Sequence, residues 1–589
     1  MNVALPYGTV LLVASSAFPC LLSLAFFGRI GTTGRLLLFP LAPLPALSAA
    51  IFLQSGLSLE LDWIFFGGSF GIDPMGRFFL FFTSLLWFAA GLYAFFYFDK
   101  GRRRDRFFAF FLLSQSGNLG LILAQDMLSF YLFFALMSFS SYGLIIHHGD
   151  APALRAGRVY MALVVLGEAM LFAALVMLAD NAGTVRFNEL GGAVRSHLTI
   201  ALLFFSFGIK AGALPFHFWL PLAHPVAPVP ASAVLSGVMI KAGLLGWIRF
   251  LPTGEGVAPE WGVFLLFMGL IAAFAAVAAG VGQDDAKTVL AYSSISQMGL
   301  ITVGLGGAAL LQSGGHFPAS SAVTFYALHH ALTKGALFLG AGVMIRSSGR
   351  PLVRLFVFCG LVYCALSLSG LPFTSGAAAK AGLKGLAAGL PPAWEKWLPT
   401  LLFWAAVGTT LLMARFLALV GTVPQAKKEN GMPPRAAMKQ PSPLPIMLVW
   451  AGLVAGLLPL PWLLGEESAA FADPAGGWPV ALGAAIAGGC WLLRRKRVLP
   501  RPLPVPAGDI VVLIEKIGRA ACSLAMRCGE IASVYRRRLT DMIAAATDAA
   551  RLYTTGMGER LGFYEQAGQR WLVAGGCWLG LTVLFYLLS

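Results

Sequence analysis

Seven ionisable side chains stand deep inside apolar stretches of this sequence: Glu168, Lys210, Lys241, His330, Lys334, Lys380 and Lys384. Each costs roughly 2.5–3.5 kcal/mol at the centre of a bilayer, so several in one chain point to a shared polar axis rather than to accident. Their types suit proton transfer. Desolvation favours the neutral amine of lysine, and a lysine brought near neutrality can take up and release a proton. Histidine titrates in that range already. A nearby carboxylate stabilises the charged lysine, and its withdrawal releases the proton, so such groups titrate as a coupled set.

The spacing supports a chain of carriers. His330 and Lys334 are four apart and share a helix face, as do Lys380 and Lys384. Lys210 lies just before one proline break and Lys380 just after another, while Lys241 sits in mid-stretch. Plainer roles stand beside these. Lys384 can snorkel to the surface, His330 can be a hydrogen-bonded core histidine, and Glu168 can serve a packing hydrogen bond. His329 points elsewhere on its helix and reads as structural. Asp285 and Lys287, at a junction between two apolar stretches, either guard entry to the path or fix helix ends. Asp73, in Gly71-Ile-Asp73-Pro-Met, reads as a helix cap.

These residues need helices long enough to hold them in a membrane. The 589 residues are 58% hydrophobic and 12% charged, too few charges to cover a soluble protein of this length. About twenty apolar residues span a bilayer core as a helix, and about sixteen such stretches occur along the chain. They are too continuous for the alternation of a membrane barrel. The expected fold is therefore all-α and polytopic.

The net charge of +16 does not imply nucleic acid, because the basic residues fall in short loops and one late segment. With the N-terminus outside, the inner loops hold Lys100 to Arg104, Arg155, Arg158, Lys287, Arg346 to Arg354, Lys427, Lys428 and Arg494 to Arg497. The outer loops 55–72, 251–258, 309–320 and 466–477 contain no Lys or Arg. That asymmetry follows the positive-inside rule, with 182–198 (Arg186, Arg195) as an exception.

Two stretches are broken by proline: Gly208-Ile-Lys-Ala-Gly-Ala-Leu-Pro215-Phe-His217-Phe-Trp-Leu-Pro221 and Ser369-Gly-Leu-Pro372-Phe-Thr-Ser-Gly376-Ala-Ala-Ala-Lys380. Broken helices in corresponding halves point to an inverted repeat around a transport path. The organisation read from the sequence is N-terminal spans in 1–105, two five-span repeats in 106–250 and 259–421, and further spans in 444–494. After a proline-rich break, 508–566 keeps apolar residues at helical spacing and reads as an amphipathic helix lying along the inner face. A final span at 571–588 anchors its far end. The seven cysteines form no CxxC pair, so no metal, haem or cluster site is expected, and no cofactor. The uncharged start MNVALPYG argues against a cleavable signal peptide.

Three segments carry a family resemblance. Asp285-Ala-Lys-Thr-Val-Leu-Ala-Tyr-Ser-Ser-Ile-Ser-Gln-Met-Gly299, His330-Ala-Leu-Thr-Lys334-Gly-Ala-Leu-Phe-Leu and Lys210-Ala-Gly-Ala-Leu-Pro-Phe-His-Phe-Trp-Leu-Pro221 resemble the antiporter-like subunits of respiratory complex I. That family includes membrane subunits of group 4 NiFe hydrogenases, formate hydrogenlyase and Mrp-type cation/proton antiporters. The resemblance covers about residues 70–420 and implies two inverted five-helix bundles, each with a broken helix. It implies that Lys210 is the broken-helix lysine of the first half, that Lys241 bridges the halves, and that His330 and Lys334 form the central relay. Lys380 falls where the second broken helix carries its exit group. The family's usual glutamate is replaced here by Ala135, so Glu168 on the next span is the candidate carboxylate. The segment 508–566 resembles the lateral-helix extension of a distal complex I subunit. The implied function is proton translocation within a redox-driven complex, with electrons carried by a peripheral arm and with sibling membrane subunits as partners. A cation/proton antiporter subunit, which can use sodium, is the alternative, and a non-transporting structural subunit is a third. The expected location is a cell inner membrane.

Overall fold

A computed structural model describes residues 4–28, 34–61, 67–99, 101–192, 196–251, 259–311, 318–347, 349–422, 442–462, 472–496, 506 and 508. The expected lateral helix, beyond its first residue, and the anchor at 571–588 lie outside the described residues. The helices are α1 Ala4–Phe27, α2 Gly34–Leu38, α3 Leu44–Phe52, α4 Pro74–Tyr97, α5 Arg102–Leu123, α6 Met127–Ile145, α7 Ala151–Ala182, α8 His197–Ala211, α9 Trp219–Val226, α10 Val229–Val234, α11 Ile240–Phe250, α12 Pro259–Val281, α13 Ala286–Leu310, α14 Pro318–Arg346, α15 Pro351–Ser369, α16 Ser375–Gly385, α17 Pro392–Gly421, α18 Leu444–Leu457 and α19 Trp478–Arg495. Among the described residues, 15 segments are long and apolar enough to cross a membrane. The chain is a multi-pass membrane protein.

Helix starts are written in the sequence. Asp73, Asp126, Asp150, Ser196, Asp285 and Thr374 each cap a helix by accepting the backbone N–H three residues on. Asp73 also pairs with Arg249 at 3.2 Å. Asp126 does a second task, accepting Ser69 N–H at 2.8 Å and so tying α6 to an antiparallel hairpin of β1 Ser58–Leu61 and β2 Gly68–Gly71. The all-helical reading of the sequence did not include this hairpin, which is too short to stand out from the apolar loop around it. The membrane-length segment Gly34–Phe52 is interrupted within itself, because Pro40 and Pro43 divide it into α2, a 3-10 turn and α3.

Both broken helices are present, each the fourth span in a run of five. In the first run (α5, α6, α7, the α8–α9 pair, then α10 with α11) α8 ends at Gly212, φ +73°. In the second run (α12, α13, α14, the α15–α16 pair, then α17) α15 ends at Gly370, φ +92°. Glycine takes this left-handed conformation without the Cβ penalty, and the Leu-Pro-Phe that follows each glycine cannot continue the helical hydrogen bonds. At the second break Phe373 is itself left-handed, φ +64°, a conformation unfavourable for a bulky side chain.

The core sits on α13, α14 and the α10–α11 unit, which are buried almost along their whole apolar length. Small residues let α12 approach α13 closely: a Cβ on Gly269 would come 2.5 Å from the Gly299 carbonyl oxygen. Between α10 and α11 the backbone makes a π turn over Leu235–Met239, where the Ile240 N–H returns five residues to the Leu235 carbonyl.

Candidate functional site

The first half holds its ionisable pair around the first break. Lys210, in the last turn of α8, is buried and donates to Tyr160 Oη at 3.1 Å. Tyr160 donates in turn to the Ser138 carbonyl at 2.8 Å. Trp219, at the start of α9, lies tilted against the Tyr160 ring and donates to Ile209 O at 2.8 Å, closing the gap left by the break. Glu168 lies two turns along α7 from Tyr160, on the same face, and is buried. Its Oε2 has no hydrogen-bond partner, and Lys210 is the cation that acts on it. Carboxylate and ammonium are therefore held near but apart, with the amine on Tyr160. Ser138, on α6, is the hydroxyl that acts on Glu168. A carboxylate is thus supplied to this region from α7.

At the centre two lysines share a run of polar groups. Lys241 Nζ donates to Ser236 O at 2.9 Å, within the π turn. The Ser236 hydroxyl meets the Ser294 hydroxyl at 2.6 Å, and Ser294 donates to Leu290 O at 2.9 Å. Lys334 Nζ donates to the same Leu290 carbonyl at 2.9 Å. Lys241 and Lys334, on helices α11 and α14, are therefore linked through α13. His330, one turn before Lys334, is wholly buried, with neither ring nitrogen partnered. It is not the hydrogen-bonded core histidine that the sequence left open. Lys241, Lys334 and His329 all lie within electrostatic reach of it. A buried imidazole without a protein partner is rare in a settled core and fits a hydrated interior.

The second break continues the line. His329 Nδ1 meets Ser375 Oγ at 2.8 Å and Thr333 Oγ1 at 3.3 Å, so this side chain reaches the first turn of α16. Lys380 and Lys241 both act on its ring. Lys380, half-buried, donates to Ser369 O at 2.5 Å, and its stem crosses Gly370, where a Cβ would come 2.8 Å from Lys380 Cδ. Lys380 and Lys384 line one cavity of about 700 Å³ with Thr400, Phe403 and Asp473. Lys384 is exposed at that cavity.

At the opposite end, Asp285 caps α13 through Thr288 N at 2.7 Å, so it does fix a helix end. Lys287 donates to Ala227 O at 2.6 Å, at the end of α9. Both line a second cavity of about 330 Å³ with Asp284, Arg354 and Thr422. His224 is fully buried one turn before Ala227, stacked on Phe338 at 4.8 Å, with both ring nitrogens unpartnered. Lys287 and Lys334 are the cations within its reach.

The expected residues therefore form three groups. Glu168 with Lys210 is one, Lys241 with His330 and Lys334 is the second, and Lys380 with Lys384 is the third. His329 bonds to neither group, but Lys380 and Lys241 both act on its ring. No hydrogen bond among the described residues joins the first group to the second. The sequence reading did not single out Tyr160, Ser236, Ser294 or His224. His224 carried a usable signal, an imidazole inside an apolar span, whereas tyrosines and serines are too common in such spans to single out. Among the described residues, no three His, Cys, Asp or Glu side chains are placed to hold a metal ion.

Comparison with known proteins bears on this arrangement. Residues 124–390 match the model of the NADH:quinone oxidoreductase/Mrp antiporter transmembrane family. Hydrogenase-4 component B of Escherichia coli is 32% identical over 291 residues, covering 46% of this chain and 43% of the relative. A putative antiporter subunit of Staphylococcus saprophyticus is 31% identical over 349 residues, covering 54% of this chain and 44% of the relative. The chain thus spans less than half the length of these curated relatives. Among solved structures, a chain of the Mrp complex from Dietzia superposes with TM-score 0.68 at 21% identity, covering 93% of this chain and 63% of that one. A chain of an archaeal membrane-bound sulfane sulfur reductase gives 0.65 at 19% identity, covering 90% and 99%. These two likenesses establish the shared fold.

Proposed function

We propose that this chain is a proton-translocating membrane subunit of a multisubunit redox-driven pump, a reading supported by the match of residues 124–390 to the NADH:quinone oxidoreductase/Mrp antiporter transmembrane family. The observation that carries the reading is the polar run from Lys241 through Ser236, Ser294 and Leu290 to Lys334, buried throughout. Two lysines on one hydrogen-bonded run cannot both be charged cheaply, so a proton on one favours its absence from the other. A shift of charge at one end of the run then changes which lysine holds a proton, while the Ser236 and Leu290 carbonyls only accept and do not carry it. His330 and His329 extend the run toward Lys380. Glu168 governs Lys210 in the first half, in place of the carboxylate missing at Ala135.

The halves 106–250 and 259–421 act as inverted repeats, supported by the broken fourth helix of each. The basic loops face the inside and the N-terminus lies outside, in a cell inner membrane. Sibling membrane subunits flank the chain, and a peripheral redox arm supplies the driving change. The hydrogenase-4 relative favours a group 4 hydrogenase over an NADH-oxidising assembly. The second reading, an Mrp-type cation/proton antiporter subunit working on sodium, is favoured by the antiporter relatives. Purifying the native complex and identifying its subunits separates them: a NiFe large subunit supports the hydrogenase, and small antiporter subunits without a redox arm overturn it.

Glu168→Gln keeps the shape of the side chain and removes its charge. The expected result is at least a tenfold loss of proton translocation with normal assembly. Full pumping by the variant, read as dye quenching in inverted vesicles, would remove Glu168 from the mechanism.

A further inference from the structure

The cavity beside Lys380 is not built by the family-matched segment alone. Its far wall is the turn Asp473–Trp478 and the start of α19, which lie beyond residues 124–390. This turn seats directly on the second helix break, because a Cβ on Gly477 would lie 3.5 Å from Pro372 Cδ and Cγ. The first turns of α19 are packed as closely on α17, where a Cβ on Gly483 would come 2.6 Å from Thr410 Cβ. The wall is therefore a fixed part of the site. Among its lining residues Lys380 and Lys384 are the cations and Asp473 is the acid. Asp473 is exposed, and its Oδ1 accepts Ala475 N–H at 2.9 Å, which leaves the other carboxylate oxygen toward solvent.

We propose that Asp473 receives the proton that Lys380 gives up, making the C-terminal turn part of the release site. The inference rests on the proton-translocation reading above. In the step, the Lys380 ammonium loses an N–H bond, the proton crosses the cavity, and an O–H bond forms on the Asp473 carboxylate. Asp473 then loses the proton to the medium and returns to its charged form. No electron is transferred. The carboxylate also holds negative charge where two lysines would otherwise repel an arriving proton.

Asp473→Asn isolates this role, since asparagine caps a helix as well as aspartate and keeps the turn. In the intact complex in vesicles, the variant should translocate protons about tenfold more slowly, a modest loss because water bypasses a lost relay in an open cavity. Formate in the medium on the cavity side should restore most of the rate, acting as a mobile carboxylate in the 700 Å³ space, and Asp473→Glu should retain it. An unchanged rate in Asp473→Asn overturns the proposal, as does a loss that formate does not restore. Lys334→Met in the same preparation separates the two levels. If it leaves flux intact, the translocation reading itself fails. If it stops flux while Asp473→Asn does not slow it, only the assignment of Asp473 fails.

Discussion

If the proposed reading holds, Lys334→Met should slow proton translocation about a hundredfold or more while the complex still assembles. Methionine fills nearly the same apolar volume along the stem, so packing between α14 and α13 persists. What is lost is the ammonium that donates to Leu290 O at 2.9 Å and shares that carbonyl with Ser294. The hydrogen bond alone is worth about 1 kcal/mol, too little to unfold a helix buried on every side. Lys334 has no substitute nearby: His330 is one turn away on the same helix, but it has no hydrogen bond to the Ser236–Ser294 run. The check is dye quenching in inverted vesicles beside a native gel of the purified complex. Normal quenching with Lys334→Met would sink the central relay, and a failed assembly would mean that the lysine is structural.

Gly376→Ala should be the most damaging single methyl in the second half. A Cβ at Gly376 would lie 1.6 Å from the Ser367 carbonyl oxygen and 3.1 Å from His329 Nε2. The first obstacle is backbone, so α16 must move away from α15. Overpacking of this kind costs about 1–3 kcal/mol, and more where rigid backbone is the obstacle. The displacement carries Ser375 off His329 and Lys380 off Ser369, so transport falls with stability. Gly307→Ala is the control, because its Cβ would meet only Leu390 Cδ1 at 3.9 Å and alanine favours a helix. Thermal aggregation of the two purified variants should show a clear drop for Gly376→Ala and none for Gly307→Ala. Equal thermal stability of both would mean that the α15–α16 approach is looser than described.

Much of this arrangement is legible before any coordinates, for reasons that differ by feature. Span positions follow from apolar length, a local property. The caps at Asp73 and Asp285 follow from a short polar side chain just before a helical run. The breaks follow from glycine and proline in fixed order. The buried lysines stand out because the membrane makes them costly. What the chain conceals depends on neighbours distant in sequence. Which serine meets which is decided by helix packing, so the Ser236–Ser294 contact has no local mark. The π turn adds one residue to a single turn, too small a change to disturb the 3.6-residue pattern around it. His329 reads as structural because a residue next to His330 faces another direction. That argument holds for a helix with an outer side, but α14 is surrounded, and both directions are interior.

The two cavities at opposite ends of the second half also have an electrical consequence. A transmembrane voltage does not fall evenly across a protein with solvent-admitting mouths; it concentrates over the sealed stretch between them. Here that stretch holds Lys334, His330 and His329, with Lys287 at one mouth and Lys380 at the other. Moving one elementary charge through the full field takes about 2.3 kcal/mol per 100 mV. On the proposed reading, most of that work falls on a few short hops at the middle of the molecule, and those hops are where a rising proton-motive force would first stall transport.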